Sequence, residues 1–373
     1  MKNMMWKPEV MNTSRKKISS IPSTDVGSLP CATKLSEAFD ENSSIHESSM
    51  EKFKQAVVNS YVDKLKAGIA VPTFPQFRDM NQMFLSAFEG IAKVKEGLVQ
   101  ADIHLKLKSG FGLLSEVAAI KEHSETIKKQ IDQRYQLRIC VTGPYTLASF
   151  FPHRNHQIYR EIGRLLTDIV DRNTFSIKDG EVALLAIDEP LFGFIDDSLI
   201  ERNTAGREEL LKGWETIAQK AKTKNIQSCI HLHSTSDSLF WEPDSISIIE
   251  SHVDDPIYTL KTTKDQLESK DKFLKASIAR SDFDLLIEDG LRTESALTVP
   301  EAWKHIIKGT MKAERFLEEK EIMEKRLKKI VNHYGIERVA MAGPECGLRG
   351  FPTYASAISC LRDVSEVSAS TVL

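Results

Sequence analysis

A chain of 373 residues with 41% hydrophobic content is long enough for one large barrel or for two or three ordinary domains. Its 50 lysines and arginines offset 53 aspartates and glutamates and are spread along the sequence, which excludes the basic face that nucleic-acid partners require. Five dispersed cysteines (Cys31, Cys140, Cys229, Cys346, Cys360) without a CxxC pair, and no run of about eighteen apolar residues, exclude a disulfide framework and a membrane span and suggest a reduced, cytoplasmic setting.

In chain order, residues 1–20 lack an apolar stretch and are expected to form a flexible tail rather than a signal peptide, leaving 21–373 as a single domain. Eight β-rich runs follow, near Ile21 to Val26, Gly68 to Thr73, Leu137 to Thr142, Val182 to Ile187, Ser228 to His233, Ser245 to Ile249, Phe273 to Ile278 and Arg338 to Ala342. Helical patterns alternate with them, clearest from Glu314 to Tyr334, where Leu317, Met323, Leu327, Ile330, Val331 and Tyr334 share a face and Gly335 supplies the stop. Such alternation implies parallel strands and right-handed crossovers, and runs such as VALLAI are apolar throughout, as strands buried on both faces should be. The expected fold is therefore an α/β (β/α)₈ TIM barrel, with a doubly wound open sheet as the competitor. The stretch from Arg78 to Gln136 exceeds one crossover and is predicted to be a helical insertion after the second strand.

Polar and turn-forming residues gather at the predicted strand ends, the face on which barrels carry their chemistry. Gly27-Ser28 follows the first strand, Gln76, Arg78 and Asp79 the second, TGP the third and Asp188-Glu189-Pro190 the fourth. HLHSTSD follows the fifth, Glu250 the sixth, Arg280-Ser281-Asp282 the seventh and GPECG with Cys346 the eighth. On the fifth strand, Cys229, His231, His233 and Thr235 share a face by their spacing of two, with His233 nearest the opening. Two histidines on one face, with a glutamate and a cysteine after later strands, suit zinc, whose catalytic sites use three protein ligands and leave a fourth position for substrate. A thiol bound there would lose its proton at neutral pH and become a nucleophile for methyl transfer. His252, two residues after Glu250, could orient it or act as a reserve ligand; Phe150 and Phe151 could face a flat donor, and His153 and His156 could touch a substrate.

STDVGSLP, TGPYTL, AIDEP, IHLHST, SISIIES and GPECGLRGFP occur in that order from about Pro22 to Ala357, and together they resemble the catalytic barrel of the cobalamin-independent methionine synthase family. This family belongs to the wider group of uroporphyrinogen decarboxylases and corrinoid methyltransferases. The resemblance implies a zinc held by a His and a Cys two apart, a Glu and a further Cys, positions occupied here by His233, Thr235, Glu250 and Cys346. Threonine is a poor zinc ligand, so the expected metal set is His233, Glu250 and Cys346, with His231 as a substitute. The resemblance further implies homocysteine held by Ser28 and Asp188, with neutral Gln76 where the family has a glutamate.

The resemblance also favours a short form without the additional N-terminal barrel of the folate-dependent members, taking its methyl group from methylcobalamin or a methylated corrinoid protein. No DxHxxG motif for cobalamin is present, so that donor would come from outside. The expected function is zinc-dependent methyl transfer to a thiol, homocysteine giving methionine. The alternatives are another thiol acceptor resembling coenzyme M and a metal-binding barrel that has lost turnover.

Overall fold

The computed structural model describes residues 20–31, 35, 45–194, 196–292 and 297–370. The expected tail lies outside them up to residue 19. Six parallel strands form one sheet: β1 (Tyr135–Thr142), β2 (Gly180–Glu189), β3 (Gln227–Leu232), β4 (Ile248–Glu250), β5 (Phe273–Ala279) and β6 (Val339–Pro344). Each pairs with its neighbour in sequence, and the order β6-β5-β4-β3-β2-β1 has no reversal, so the doubly wound alternative is not what forms. Helices Met50–Lys66 (α1), Ile158–Asn173 (α2), Ala205–Lys222 (α3), Lys320–Tyr334 (α4) and Tyr354–Ser370 (α5) bury their apolar sides in the same continuous core.

The first two predicted strands are reduced to isolated parallel bridges. Ser23 bridges Ala342 of β6, Thr24 bridges Val71, and Thr73 bridges Arg138 of β1, so these segments connect the two edges of the six-stranded sheet. Longer ladders are blocked because Pro22, Pro72 and Pro75 carry no N–H and Gly27 adopts φ +123°. Side chains replace the missing rungs. Asp25 accepts the Thr73 N–H through Oδ1 (2.7 Å) and the buried Lys64 Nζ of α1 through Oδ2 (2.6 Å), while Lys64 also donates to the carbonyls of Gly27 (3.2 Å) and Thr73 (2.9 Å).

The insertion is only partly helical. It holds helices Ser115–Glu122 and Ser124–Ile131, but also two antiparallel ribbons, Ile91–Val94 with Gly97–Gln100 and Phe88–Glu89 with Lys106–Leu107. The sequence IAKVKEGLVQ makes a hairpin because Lys95-Glu96 forms a two-residue turn ahead of Gly97, at φ +146°. The predicted helix from Glu314 is also interrupted. A 3₁₀ turn, Ala313–Phe316, is followed by extended backbone at Leu317 and Glu319 before α4 begins, and α4 stops as predicted at Gly335, φ +89°.

Candidate metal centre

The register aligns three of the predicted residues. Asp188 of β2 is opposite His231 of β3, which is opposite Glu250 of β4, forming a row at the strand ends. His233 lies just past β3, His252 just past β4 and Cys346 just past β6. His231, His233, His252 and Cys346 each offer a ligand atom, all within 4.8 Å of one another, and among the described residues this is the one group with such geometry. The Cys346 sulfur is 3.5 Å from His233 Nε2, and the His233 and His252 ring centres are 4.1 Å apart. His231 Nε2 and His252 Nε2 are buried without a hydrogen-bond partner, whereas His231 Nδ1 stands 3.1 Å from Glu250 Oε1. Imidazole nitrogens left open around a thiol fit a divalent ion such as zinc.

In the metal-free site the thiol and the imidazoles share a proton, which a bound metal ion would displace. Burial pushes the Cys346 thiol up, but the imidazoles of His231, His233 and His252 outweigh it and hold the thiol well below its usual range. Burial likewise opposes charge on His231, whereas Cys346 and Glu250 lift its pKa to about 10. Burial lowers that of His233, which keeps this imidazole neutral and available as a ligand.

Glu250, expected among the ligands, is not part of the group. Its fully buried carboxylate accepts both arms of Arg138, at 2.5 Å and 3.1 Å, and Lys275 Nζ stands 3.7 Å away. Arg138 lies on β1 and Glu250 on β4, so their contact spans the inside of the sheet and requires it to be curled. Burial alone would raise the Glu250 carboxyl, but Arg138, Lys275 and His231 hold it well below its ordinary value. Thr235, where the resemblance has a cysteine, faces Asp255, donating its hydroxyl to Oδ1 (2.5 Å) and its N–H to Oδ2 (3.2 Å).

The expected substrate residues lie around this group. Asp188 is buried with Oδ1 unpartnered, and burial lifts its carboxyl to about 6 against the pull of His231 and Arg138. Ser28 bridges Gln76, and the Ser28 carbonyl accepts the N–H of Leu348, which brings the first two segments against the Cys346 loop. Gly347 permits that approach: a Cβ there would sit 1.9 Å from the Ser28 hydroxyl. The Gln76 amide is engaged with the Met83 sulfur at 3.5 Å. Phe151 is buried in the core, Phe150 packs on it, and neither His153 nor His156 is in the ligand group. Cys140 and Cys360 are buried and Cys31 is partly buried against the core, while Cys229, which shares the face of His231, is a buried thiol outside the ligand group.

Several polar residues at the site escaped the sequence reading. Arg138 and Lys275 interrupt otherwise apolar strands, and a charge within such a run is the signal that could have found them. Glu345, beside Cys346, accepts the N–H groups of Val253 (2.9 Å) and Ser281 (2.8 Å), tying the Cys346 loop to those after β4 and β5.

Residues 21–281, more than half of the chain, match the family described as cobalamin-independent synthase, catalytic domain. The chain belongs to that family. The match ends before Cys346, which is joined to the site by the fold. This synthase-family chain is 23% identical over 178 residues to a methionine synthase of Sulfolobus acidocaldarius, covering 46% of the chain and 52% of the relative. It is 22% identical over 221 residues to that of Saccharolobus solfataricus, covering 58% and 63%. The matches thus span between half and two thirds of these relatives' lengths.

Among solved structures, the B12-independent methionine synthase of Shewanella sp. W3-18-1 in complex with selenomethionine has a TM-score of 0.57 at 13% identity. That likeness covers 94% of this chain and 97% of the other. A Methanosarcina mazei methyltransferase has a TM-score of 0.51 at 9% identity, covering 93% and 94%. These likenesses establish a shared fold. The family's cobalamin independence removes the support for the expected methylcorrinoid donor and corrinoid partner protein. No described helix is long and apolar enough to cross a membrane.

Proposed function

We propose that this chain transfers a methyl group to the sulfur of a small thiol, homocysteine giving methionine, at a zinc centre at the strand ends. The observation that carries this reading is the convergence of His231, His233, His252 and Cys346 within 4.8 Å in a member of the cobalamin-independent synthase family. The methionine synthases among its relatives support the choice of acceptor. When bound, zinc supplies stabilisation of a thiolate at neutral pH.

The protein's own residues select and orient the acceptor. Asp188, with a free carboxylate oxygen beside His231, receives the ammonium group, and Ser28, packed on the Cys346 loop, steadies the amino-acid end. Gln76, bridged to Ser28, keeps that subsite neutral. The new sulfur–carbon bond forms as the methyl group leaves its donor, which keeps the bonding electron pair. The full (β/α)₈ count belongs to this proposal too, with the two bridging segments as the first and second members of the barrel.

Purified protein is assayed for zinc and for methylation of homocysteine and of coenzyme M. Homocysteine should be the acceptor, and Cys346→Ala and His233→Ala should each lower turnover by more than ~100-fold, beyond the loss typical of outer-shell changes. Undiminished methylation by Cys346→Ala, or turnover with coenzyme M alone, would reject the proposal.

A further inference from the structure

In the family arrangement that the sequence resembles, metal ligands would stand at positions 233, 235, 250 and 346. Two of these are committed elsewhere in this chain. The Thr235 hydroxyl is bound to Asp255, and the Glu250 carboxylate takes both arms of Arg138 across the inside of the sheet. Drawing Glu250 onto a metal would strand a guanidinium that is fully buried, leaving an uncompensated charge inside the sheet.

Two histidines stand in the same neighbourhood. His231 precedes His233 by two residues and His252 follows Glu250 by two. Their ring centres lie 5.3 Å and 4.1 Å from that of His233, and His231 and His252 are 6.1 Å apart. His231 Nε2 and His252 Nε2 are both buried without a hydrogen-bond partner. Behind His231, Glu250 Oε1 is 3.1 Å from Nδ1. That is the placement of an outer carboxylate that fixes the orientation of a metal-bound imidazole and leaves Nε2 to face the ion.

We propose that the metal of this chain is held by His231, His233, His252 and Cys346, with His252 supplying the ligand that Thr235 cannot and Glu250 withdrawn to orient His231. The inference rests on the metal-centred reading above. Its chemical consequence is a change of charge. Three neutral imidazoles and one thiolate leave a dication with net positive charge, whereas one imidazole, two thiolates and a carboxylate leave the site net negative. A positive site attracts an incoming thiolate more strongly, and, because four protein ligands fill the tetrahedral positions, that thiolate would enter as a fifth ligand. An imidazole-rich set accepts cobalt(II) readily as well as zinc.

The test uses the full chain stripped of metal and reloaded with zinc or cobalt(II). Zinc-edge X-ray absorption of the parent should give three imidazole nitrogens at about 2.0 Å and one sulfur at about 2.3 Å. In competition with a chromophoric chelator, His252→Ala should weaken zinc by more than ~100-fold and Glu250→Gln by only ~10–100-fold. Thr235→Ala should leave zinc affinity within about twofold of the parent, because it removes no ligand. The cobalt form of His252→Cys should gain a second sulfur-to-cobalt charge-transfer contribution, a positive readout that does not depend on loss of folding.

Parent-like zinc affinity in His252→Ala with no second thiolate band in His252→Cys would overturn the ligand exchange. So would a Glu250→Gln cobalt spectrum that changes as if a ligand had been removed. Either outcome leaves methyl transfer at a differently built centre standing. A folded parent that binds neither metal would overturn both readings.

Discussion

Asp188 and Glu189 are neighbours in one strand with opposite tasks, because successive side chains of a strand face opposite ways. Asp188 turns toward the histidines with an oxygen free, whereas Glu189 accepts hydrogen bonds from the N–H groups of Tyr145 (2.9 Å) and Thr146 (2.7 Å), the Thr146 hydroxyl (2.7 Å) and Trp214 Nε1 (2.7 Å). Burial outweighs these donors and pushes the Glu189 carboxyl from its ordinary 4.5 up to about 7. The folded chain therefore keeps a proton that the unfolded chain releases, so this group's contribution is complete below about pH 4.5 and is lost as pH rises toward 7. Glu189→Gln should destabilise by about 1–3 kcal/mol at pH 5, since the hydroxyl oxygen of the protonated acid can still accept the Thr146 N–H whereas an amide nitrogen cannot. The parent's advantage over the variant, read from urea unfolding at several pH values, should shrink between pH 5 and 7; an advantage that grows would refute the assignment.

Helices α2 and α3 meet where Gly163 faces Gly213, and a Cβ on Gly163 would lie 2.6 Å from the Gly213 Cα. The obstruction is backbone, so it cannot move aside as a side-chain tip could. An alanine in an unobstructed helix ordinarily stabilises relative to glycine by about 0.4–1 kcal/mol. Here overpacking should reverse the sign, and Gly163→Ala is expected to lower stability by about 1–3 kcal/mol, checked by its denaturation midpoint. An unchanged or raised midpoint would show that the helices can separate without cost. The pair also bears on reading elements from sequence: the period of α2 gives its buried face, but the residue that sets its distance from α3 belongs to a helix some fifty positions away.

The molecule depends on the irregular segments that connect β6 to β1, and there the Lys64–Asp25 pair replaces backbone rungs that proline forbids. Lys64→Met should cost about 3–5 kcal/mol by leaving Asp25 buried and unpaired. The double variant Lys64→Met, Asp25→Asn should recover part of that loss in thermal unfolding; no loss in the single variant would mean that the pair does not secure these segments. All six strands of the sheet were legible in the sequence because burial on both faces demands largely apolar runs, and the ligand candidates His231, His233 and Cys346 were legible from their places on or just after strand-like segments. The hairpin at Lys95-Glu96 was missed inside a stretch read as helical, where a four-residue strand carries too few alternations to register. The sequence by itself determined the parallel α/β architecture and the set of polar residues at the strand ends, since periodicity and strand polarity are local properties. Only the tertiary structure decided which of them meet. Arg138 claims Glu250 from 112 residues away, and Cys346 reaches His233 from 113, contacts fixed by sheet curl and register that no local pattern encodes.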